Sequence, residues 1–430
     1  MLTQINAVVW NYILLPITLL SAVILTIKCR FFQFTKPIKI FKTAFSQSDT
    51  KSGVSPFGAM CTALSGTMGI GNVAGVGTAL ALGGAGAIFW MVVSAFLCMA
   101  IKFGEVAMAV EHRTPSENGW RGGLMYVIES VAPRCRAVGI AFAVVTVVAS
   151  VGTGGISQSG AAATGMQSAF GISKWLTGVL IGAVCLWLIL APSGLIAKLS
   201  AVAVPICGGI YLVGCGAVLF LRSSEILPSV SQILSGFGNA FSISGGVSGF
   251  AVSRAVQYGV SRGIFTNESG MGSSPIVHSE AAANPLKQGC FGILEVFFDT
   301  VVMCPITALC ILTTGSDRLC GVSPVNYTMS AFNCVFGQTG SGFVAVASLF
   351  FAVGAAVGWS FYGKRASEYL GLPTKIYAVI FCVVTAVGAT LPEMQLFEIA
   401  DLFNAMMMLP NLCVLICCAN QVSLIAERLK

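Results

Sequence analysis

Apolar runs long enough to cross a membrane, parted by short polar loops, organise this chain from end to end. A spanning helix needs about 20 mostly apolar residues. The runs at 7–28, 55–82, 86–110, 137–165, 175–191, 199–221, 247–283, 289–312, 342–363, 376–391 and 396–421 predict eleven of them. Two runs are interrupted. "SGTMGIGNVAGVGTALALGGAGAIFWM" (65–91) and "SRGIFTNESGMGSSPIVHSEAAANP" (261–285) each begin as helix, meet Gly beside polar residues, and resume as apolar chain before a long apolar helix. Gly costs about 1 kcal/mol relative to Ala inside a helix. Unwound backbone is tolerated at membrane depth only where protein or a wet cavity surrounds it. Gly-interrupted crossings at corresponding places in two halves point to a transport site. Amides freed at a half-helix N-terminus suit a carboxylate, and freed carbonyls suit a cation.

Packing is the simpler reading of these glycines, because Gly71 and Gly75 form a G-x-x-x-G. It leaves Thr67, Asn72, Asn267, Glu268 and Ser269 unexplained. A dinucleotide loop at "GIGNVAG" fails for want of a preceding strand and a following acidic residue. Glu268 lies at the break itself, where a charge costs about 2.5–3.5 kcal/mol and marks a functional position; a structural partner for Arg262 or Arg254 is the competing reading. Glu295 and Asp299, four apart on one helix face, read as partners for Arg or hydroxyl groups, or as a proton relay.

Composition agrees with the runs. Of 430 residues, 56% are hydrophobic and 9% charged, against about 25% charged in soluble domains. The net charge of +7 tempts a nucleic-acid reading, but its distribution answers it. With the first loop cytoplasmic, seventeen Lys and Arg fall on that side and three (Lys174, Arg222, Arg318) on the other, with Lys102, Arg254 and Arg262 in or near crossings. This positive-inside bias places the N-terminus outside and the C-terminus in the cytoplasm. The basic, Phe-containing stretch 28–51 predicts an amphipathic segment lying on anionic lipid. Residues 8–28 read as a retained membrane helix rather than a signal peptide. The 16 cysteines are scattered, without a C-x-x-C, which argues against metal or disulfide frameworks. An intramembrane enzyme is disfavoured: His112 and His278 both fall at predicted cytoplasmic ends, and no H-E-x-x-H occurs. A channel or a sensor fits two broken helices in one chain poorly.

The two broken motifs, with "NPLKQG", "FFDT" (297–300), "GWSFYG" (358–363) and "IADLFNAMMMLPNL" (399–412), resemble the alanine/glycine:cation symporter family, the sodium:alanine symporters, over nearly the whole chain. The resemblance implies an all-α polytopic membrane protein of the leucine-transporter fold. It would have eleven transmembrane helices: one N-terminal helix and two inverted five-helix repeats whose first and sixth helices are broken. The divisions are then 1–54 for the membrane helix and basic segment, 55–221 for the first repeat, 222–246 for an extracellular linker, 247–421 for the second repeat and 422–430 for a cytoplasmic tail. The implied activity is import of alanine or glycine with a cation across the plasma (bacterial inner) membrane, without an enzymatic cofactor or nucleic-acid partner. Carried over by position, the substrate residues are Thr67, Gly69, Gly71, Asn72, Gly152, Gly154, Gln158, Asn267, Gly270, Met271, Ser273, Trp359 and Phe361; cation or gating roles fall to Ser65, Gly66, Glu268 and Asp299. Gln158 as a bridge between helices, and Trp359 as part of an interfacial belt, are the plainer alternatives.

The chain departs from the family in the eighth repeat helix. Gly354 and Ala355 stand where a Ser-Thr pair is usual, Lys364 where Glu is frequent, and Gly155 where Asn is common in the third. A hard cation wants oxygen ligands. Sodium coupling, proton coupling and exchange-type transport thereby all stay open, as do alanine versus glycine and L versus D preference.

Overall fold

The computed structural model describes residues 6, 8–47, 53–116, 119–238, 247–391 and 393–429, and they are mostly helical. α1 (Leu15–Lys28) continues a π-helical start at Val9–Leu14. Beyond it, α2 (Pro37–Ala44) buries Ile40 and Ala44 while Ile38 and Phe41 face outward with Lys39 and Lys42. This is the amphipathic segment expected over 28–51, whose last residues lie outside the described ones.

α3 (Pro56–Thr67) starts where Ser55 Oγ accepts from the Gly58 amide (3.0 Å) and Pro56 occupies the first turn, where no amide is required. It stops at the predicted break. Met68 has ψ 60°, Gly69 has φ −106° and ψ −144°, and a 3-10 turn spans Ile70–Asn72 before α4 (Ala74–Gly83) resumes. α5 (Gly86–Glu111) follows. A hairpin of β1 (Thr114–Ser116) and β2 (Gly119–Arg121) leads to α6 (Leu124–Val131). α7 (Arg136–Ala149), a π turn at Ser150–Ser157 and α8 (Gln158–Phe170) form one helical stretch. α9 (Lys174–Leu190), α10 (Ser193–Leu221) and α11 (Ile226–Gly238) come next. The stretch read as a linker over 222–246 is thus helical in its first part, and 239–246 lie outside the described residues.

α12 (Val247–Asn267) ends at the second break, and α13 (Pro275–His278) is a single turn. Asn284 then caps α14 (Pro285–Val296), accepting from the Lys287 amide (2.9 Å). A π turn at Phe297–Met303 joins it to α15 (Cys304–Thr314). α16 (Tyr327–Phe336), α17 (Gln338–Tyr369), α18 (Thr374–Gly388), α19 (Glu393–Cys417) and α20 (Ala419–Glu427) complete the chain. The run expected to extend to 421 instead ends at Cys417, where the axis turns by 65° into α20.

Among the described residues, five helical stretches (Gly86–Glu111, Pro133–Phe170, Gly194–Leu221, Pro285–Thr314 and Gln338–Tyr369) are each long and apolar enough to cross a membrane, and the bent pair Asp401–Cys417 with Ala419–Glu427 is a sixth if taken together. The eleven expected runs therefore include shorter apolar pieces, such as α4, α9 and α18. α5 packs between α12, α14 and α1, while α17 packs on α8, the 150–157 turn, α7 and α3. One polar knot joins the start of the first broken run to the end of the second. Val54 bonds to the backbone of Glu280 (3.0 Å) and Ala282 (2.8 Å). Arg113 donates to the carbonyls of Ser279 (3.1 Å), Ala281 (2.6 Å) and Ala283 (3.1 Å). Arg365 on α17 pairs with Glu280 (2.5 Å) and Glu368 (2.7 Å), and Arg121 of the hairpin reaches Glu368 (3.3 Å).

Helix contacts at this proximity need small residues. A Cβ at Gly154 would collide with the Cβ of Trp359, whereas one at Gly209, on the outer face of α10, meets nothing within 4 Å. Gly154→Ala should therefore destabilise the protein by about 1–3 kcal/mol through overpacking, while Gly209→Ala should be neutral or stabilising by up to about 1 kcal/mol. Thermal midpoints in detergent, followed by tryptophan fluorescence, measure both; equal midpoints for the two variants would contradict this packing.

Candidate functional site

The first break is held from two sides. Gln158, the first residue of α8, extends its Oε1 to the Ile70 amide (3.2 Å), and a Cβ on Gly69 would lie 2.6 Å from that oxygen. Gly69 is needed here for close approach: Gln158 and Ala355 leave no room for a side chain. Asn72, fully buried, donates from Nδ2 to both the carbonyl and Oδ1 of Asp299 (3.0 Å each), while its Oδ1 makes no protein hydrogen bond. Asp299 also accepts from Thr300 Oγ1 (2.8 Å). Thr67 and Ser65 turn their hydroxyls back to the carbonyls of Leu64 (3.2 Å) and Thr62 (2.7 Å). Gly66 touches α17: a Cβ there would be 3.1 Å from Tyr362 Oη, and one on Gly358 would be 3.0 Å from Gly66 Cα. The predicted Thr67, Gly69, Gly71 and Asn72 thus share one buried turn, with Gln158 and Asp299 brought to it from distant helices.

The glycines of "SVGTGGIS" form the π turn that precedes Gln158. Gly154 lies against Trp359, and Thr153 donates to Asn404 Oδ1 on α19 (3.0 Å). Trp359 is 1% exposed, which places it in the interior rather than in a belt at the membrane surface. Phe361 is also buried but lies under the Arg365 guanidinium, 5.2 Å from its ring centre, within the polar knot.

The second break is organised by charges that the sequence reading passed over. Glu268, Gly270 and Gly272 have φ of +53°, +87° and +72°. Glu105 on α5 accepts through Oε2 from the amides of Gly270 (3.2 Å) and Gly272 (3.3 Å) and from Asn411 Nδ2 (2.7 Å). One turn away, Lys102 Nζ lies 3.3 Å from Glu105 Oε1, 3.4 Å from Glu295 Oε1 and 2.9 Å from Ser274 Oγ. Glu295 Oε2 also meets His278 Nε2 (3.0 Å). Gln288 Nε2 lies 2.6 Å from His278 Nδ1 and donates to the Pro56 carbonyl (3.3 Å), which only accepts. That fixes the amide, so Nδ1 is the acceptor and Nε2 carries the hydrogen towards Glu295. Glu268 accepts from Ser273 Oγ (2.6 Å), and Asn267 Oδ1 accepts from the Ser269 amide (3.0 Å).

Three expectations change here. Arg262 pairs with Asp401 (3.2 Å) while Glu268 turns to Ser273, because α12 directs the arginine outward to α19. His278, expected at a cytoplasmic end, is fully buried there against Glu295. Glu295 finds Lys102 and His278 rather than an arginine or a hydroxyl, whereas Asp299 finds the Thr300 hydroxyl and Asn72. Lys102 and Glu105 were legible in principle: a Lys-x-x-Glu pair inside a long apolar run is costly unless it has a task.

On α17, Gly354 faces Ser65 and Ala355 faces Gly69. Beside them lies a cavity of about 140 Å³ lined by Ser65, Met68, Ser200, Cys207, Phe351 and Gly354, among others. Its side chains are largely apolar, and the Ser65 hydroxyl is already directed at Thr62. This crossing supplies few oxygens for a hard cation.

The Lys102 cluster yields a stability prediction. Lys102→Met strands two buried carboxylates and should cost about 3–5 kcal/mol, and the double variant Lys102→Met/Glu295→Gln should regain part of it. Melting midpoints decide this; a double variant no better than the single would refute the pairing.

Comparison with known proteins places this arrangement. The model of the sodium:alanine symporter family matches residues 1–428. The sodium/alanine symporter AgcS of Methanococcus maripaludis is 34% identical over 426 residues, covering 96% of this chain and 93% of its own length. The probable sodium/glutamine symporter GlnT of Bacillus subtilis is 30% identical over 416 residues, with 95% and 85% covered. Among solved structures, MhsT in complex with L-phenylalanine superposes with a TM-score of 0.59 at 13% identity, covering 88% of this chain and 99% of that one. A manganese transporter of Eremococcus coleocola gives 0.52 at 16%, with 89% and 81% covered. These likenesses show the leucine-transporter-like fold alone. The relatives are transporters rather than enzymes, and the protein is a multi-pass membrane protein. The chain belongs to the sodium:alanine symporter family.

Proposed function

We propose that this protein imports alanine or glycine together with a cation by alternating access. The observation that carries the reading is the buried first break, held by Gln158 and Asp299 within a family match that spans the chain. α4 opens at Ala74, just after the 3-10 turn Ile70–Asn72, and the amides at this helix start suit the substrate carboxylate. Gln158 and Ala355 crowd Gly69, and Trp359, one turn along α17 from Ala355, is buried against Gly154, which favours a methyl group or a hydrogen as the substrate side chain. Glycine and alanine lose least when such a space is small. Substrate contacts from Thr67, Gly69, Gly152, Gly154, Asn267, Gly270, Met271, Ser273 and Phe361, and cation or gating roles for Ser65, Gly66, Glu268 and Asp299, belong to the same proposal.

The architecture that goes with it has eleven crossings. One N-terminal helix (within 1–54) precedes two inverted five-helix repeats (55–221 and 247–421), joined by 222–246 and followed by a tail at 422–430. The seventeen-to-three bias of Lys and Arg supports an outer N-terminus and a cytoplasmic C-terminus in the plasma (bacterial inner) membrane.

Sodium is the coupling ion favoured by the family and by the names of its relatives. A proton is the second reading, favoured by the lack of side-chain oxygens at Gly354 and Ala355; one relative is described as a putative sodium/proton-dependent alanine carrier. Each charge falling through 100 mV would supply about 2.3 kcal/mol to uptake.

Uptake of labelled alanine into proteoliposomes, under a sodium or a proton gradient imposed singly, tests this directly. One gradient should drive accumulation, and absence of both uptake and binding under either overturns the assignment. Gln158→Ala and Asn72→Ala, each leaving a buried partner unsatisfied at about 1–3 kcal/mol, should each lower uptake by about tenfold or more while the protein still folds. Wild-type rates in both would move the site elsewhere.

A further inference from the structure

The geometry points to Glu105 as a resident anion of the second break, a positioning residue that holds this backbone unwound and leaves the first break to the substrate carboxylate. The inference rests on the amino-acid transport proposed above. Left-handed residues at 268, 270 and 272 alternate along the chain, and such a backbone turns neighbouring amides to one side as a concave anion site. Here the anion comes from the protein. Three donors (the amides of Gly270 and Gly272, and Asn411 Nδ2) converge on the single oxygen Oε2, at 3.2, 3.3 and 2.7 Å. The other oxygen faces Lys102 Nζ at 3.3 Å, and that lysine is itself held by Glu295 and Ser274. Glu105 is 3% exposed.

A substrate carboxylate offers the same chemistry as this side chain, so it cannot take these amides while Glu105 holds them. At the first break, no side-chain carboxylate is bonded to the amides among the described residues; the Ile70 amide is met by the neutral Gln158. The two breaks are therefore chemically unequal. One carries its own carboxylate and is tied through Glu105 to α5 and through Asn411 to α19, and the other is left for a ligand's.

Removing the side chain should create a site for a small free carboxylate. In purified Glu105→Ala, formate should raise the melting midpoint by several degrees, and chloride at equal ionic strength should not; wild-type protein should respond to neither. In proteoliposomes, Glu105→Ala should lose alanine uptake by about tenfold or more, and formate should restore part of it. Glu105→Gln keeps an acceptor oxygen for the amides and should retain more uptake than Glu105→Ala. If Glu105→Ala alone does not fold, Glu105→Ala/Lys102→Met/Glu295→Gln removes the remaining ion pair with it, and the formate melting assay is run on that variant. A midpoint indifferent to formate in every folded variant lacking the carboxylate overturns the proposal, as does a Glu105→Ala variant with wild-type uptake. Wild-type protein that neither binds nor transports alanine, with a formate-responsive Glu105→Ala, would sink the transport reading and leave the resident anion standing.

Discussion

Hydrocarbon offers no hydrogen bonds, so a chain that interrupts its helices inside a membrane must find partners for the freed backbone within itself. The rest of this structure is arranged around that constraint. Each break is met by a side chain from a helix far away in sequence: Gln158 reaches the Ile70 amide, and Glu105 reaches the amides of Gly270 and Gly272. The helices that carry these two side chains are themselves fixed with some precision. The π turn at 150–157 advances Gln158, and the close packing of α5 against α12 and α14 presents Glu105. Loosening either helix would leave buried amides without partners, at about 1–3 kcal/mol each.

The second break adds a charge problem to the hydrogen-bond problem. A carboxylate brought to its amides must be compensated, and Lys102, three residues earlier on the same helix, supplies the cation. Lys102 in turn brings in Glu295, and Glu295 orients His278, whose ring is fixed by Gln288 and the Pro56 carbonyl. The chain of contacts thus passes from α5 through α14 to the first residue of α3, so the two broken runs share one buried polar network. Removing one charged member strands the others, which is how buried pairs make a geometry specific at little net gain in stability.

Most of the architecture was legible because its signals are local. Apolar run length located the helices, and the glycines with Thr67, Asn72 and Glu268 located the breaks. Ser55-Pro56 and Asn284-Pro285 are cap pairs readable in the chain. What was not legible depends on which helix faces which. The partner of Arg262 proved to be Asp401, remote in sequence, and His278 is buried where its turn packs against α3, α5 and α17, with Glu295 and Gln288 of α14 on its ring. The bend at Cys418 has no Gly or Pro to announce it, and the hairpin of β1 and β2 lies between two apolar runs, where no element was expected. Lys102 and Glu105 show a different failure. The sequence displayed them plainly, and only the three-dimensional approach of residues 270–272 gives them a task.

The crossing of α3 with α17 shows how one choice of residue serves packing at the expense of ligation. Gly354, Ala355 and Gly358 let the two backbones approach until Gly358 meets Gly66 and Ala355 meets Gly69. A hydroxyl side chain at 355 would offer oxygen to a cation but would press on Gly69, whereas a side chain at 354 would make only ordinary contact with Ser65. The small residues make this crossing a seam with a largely apolar cavity beside it. Side-chain oxygen is concentrated instead across the first break, where Asp299, the unbonded Oδ1 of Asn72 and Thr300 lie together, and at the second break in Glu268 and Ser273. An ion or proton accompanying the substrate has to be stabilised by charge or dipoles at membrane depth. In this chain the carboxylate that reaches the first break, Asp299, comes from the π turn that follows α14, and not from α17.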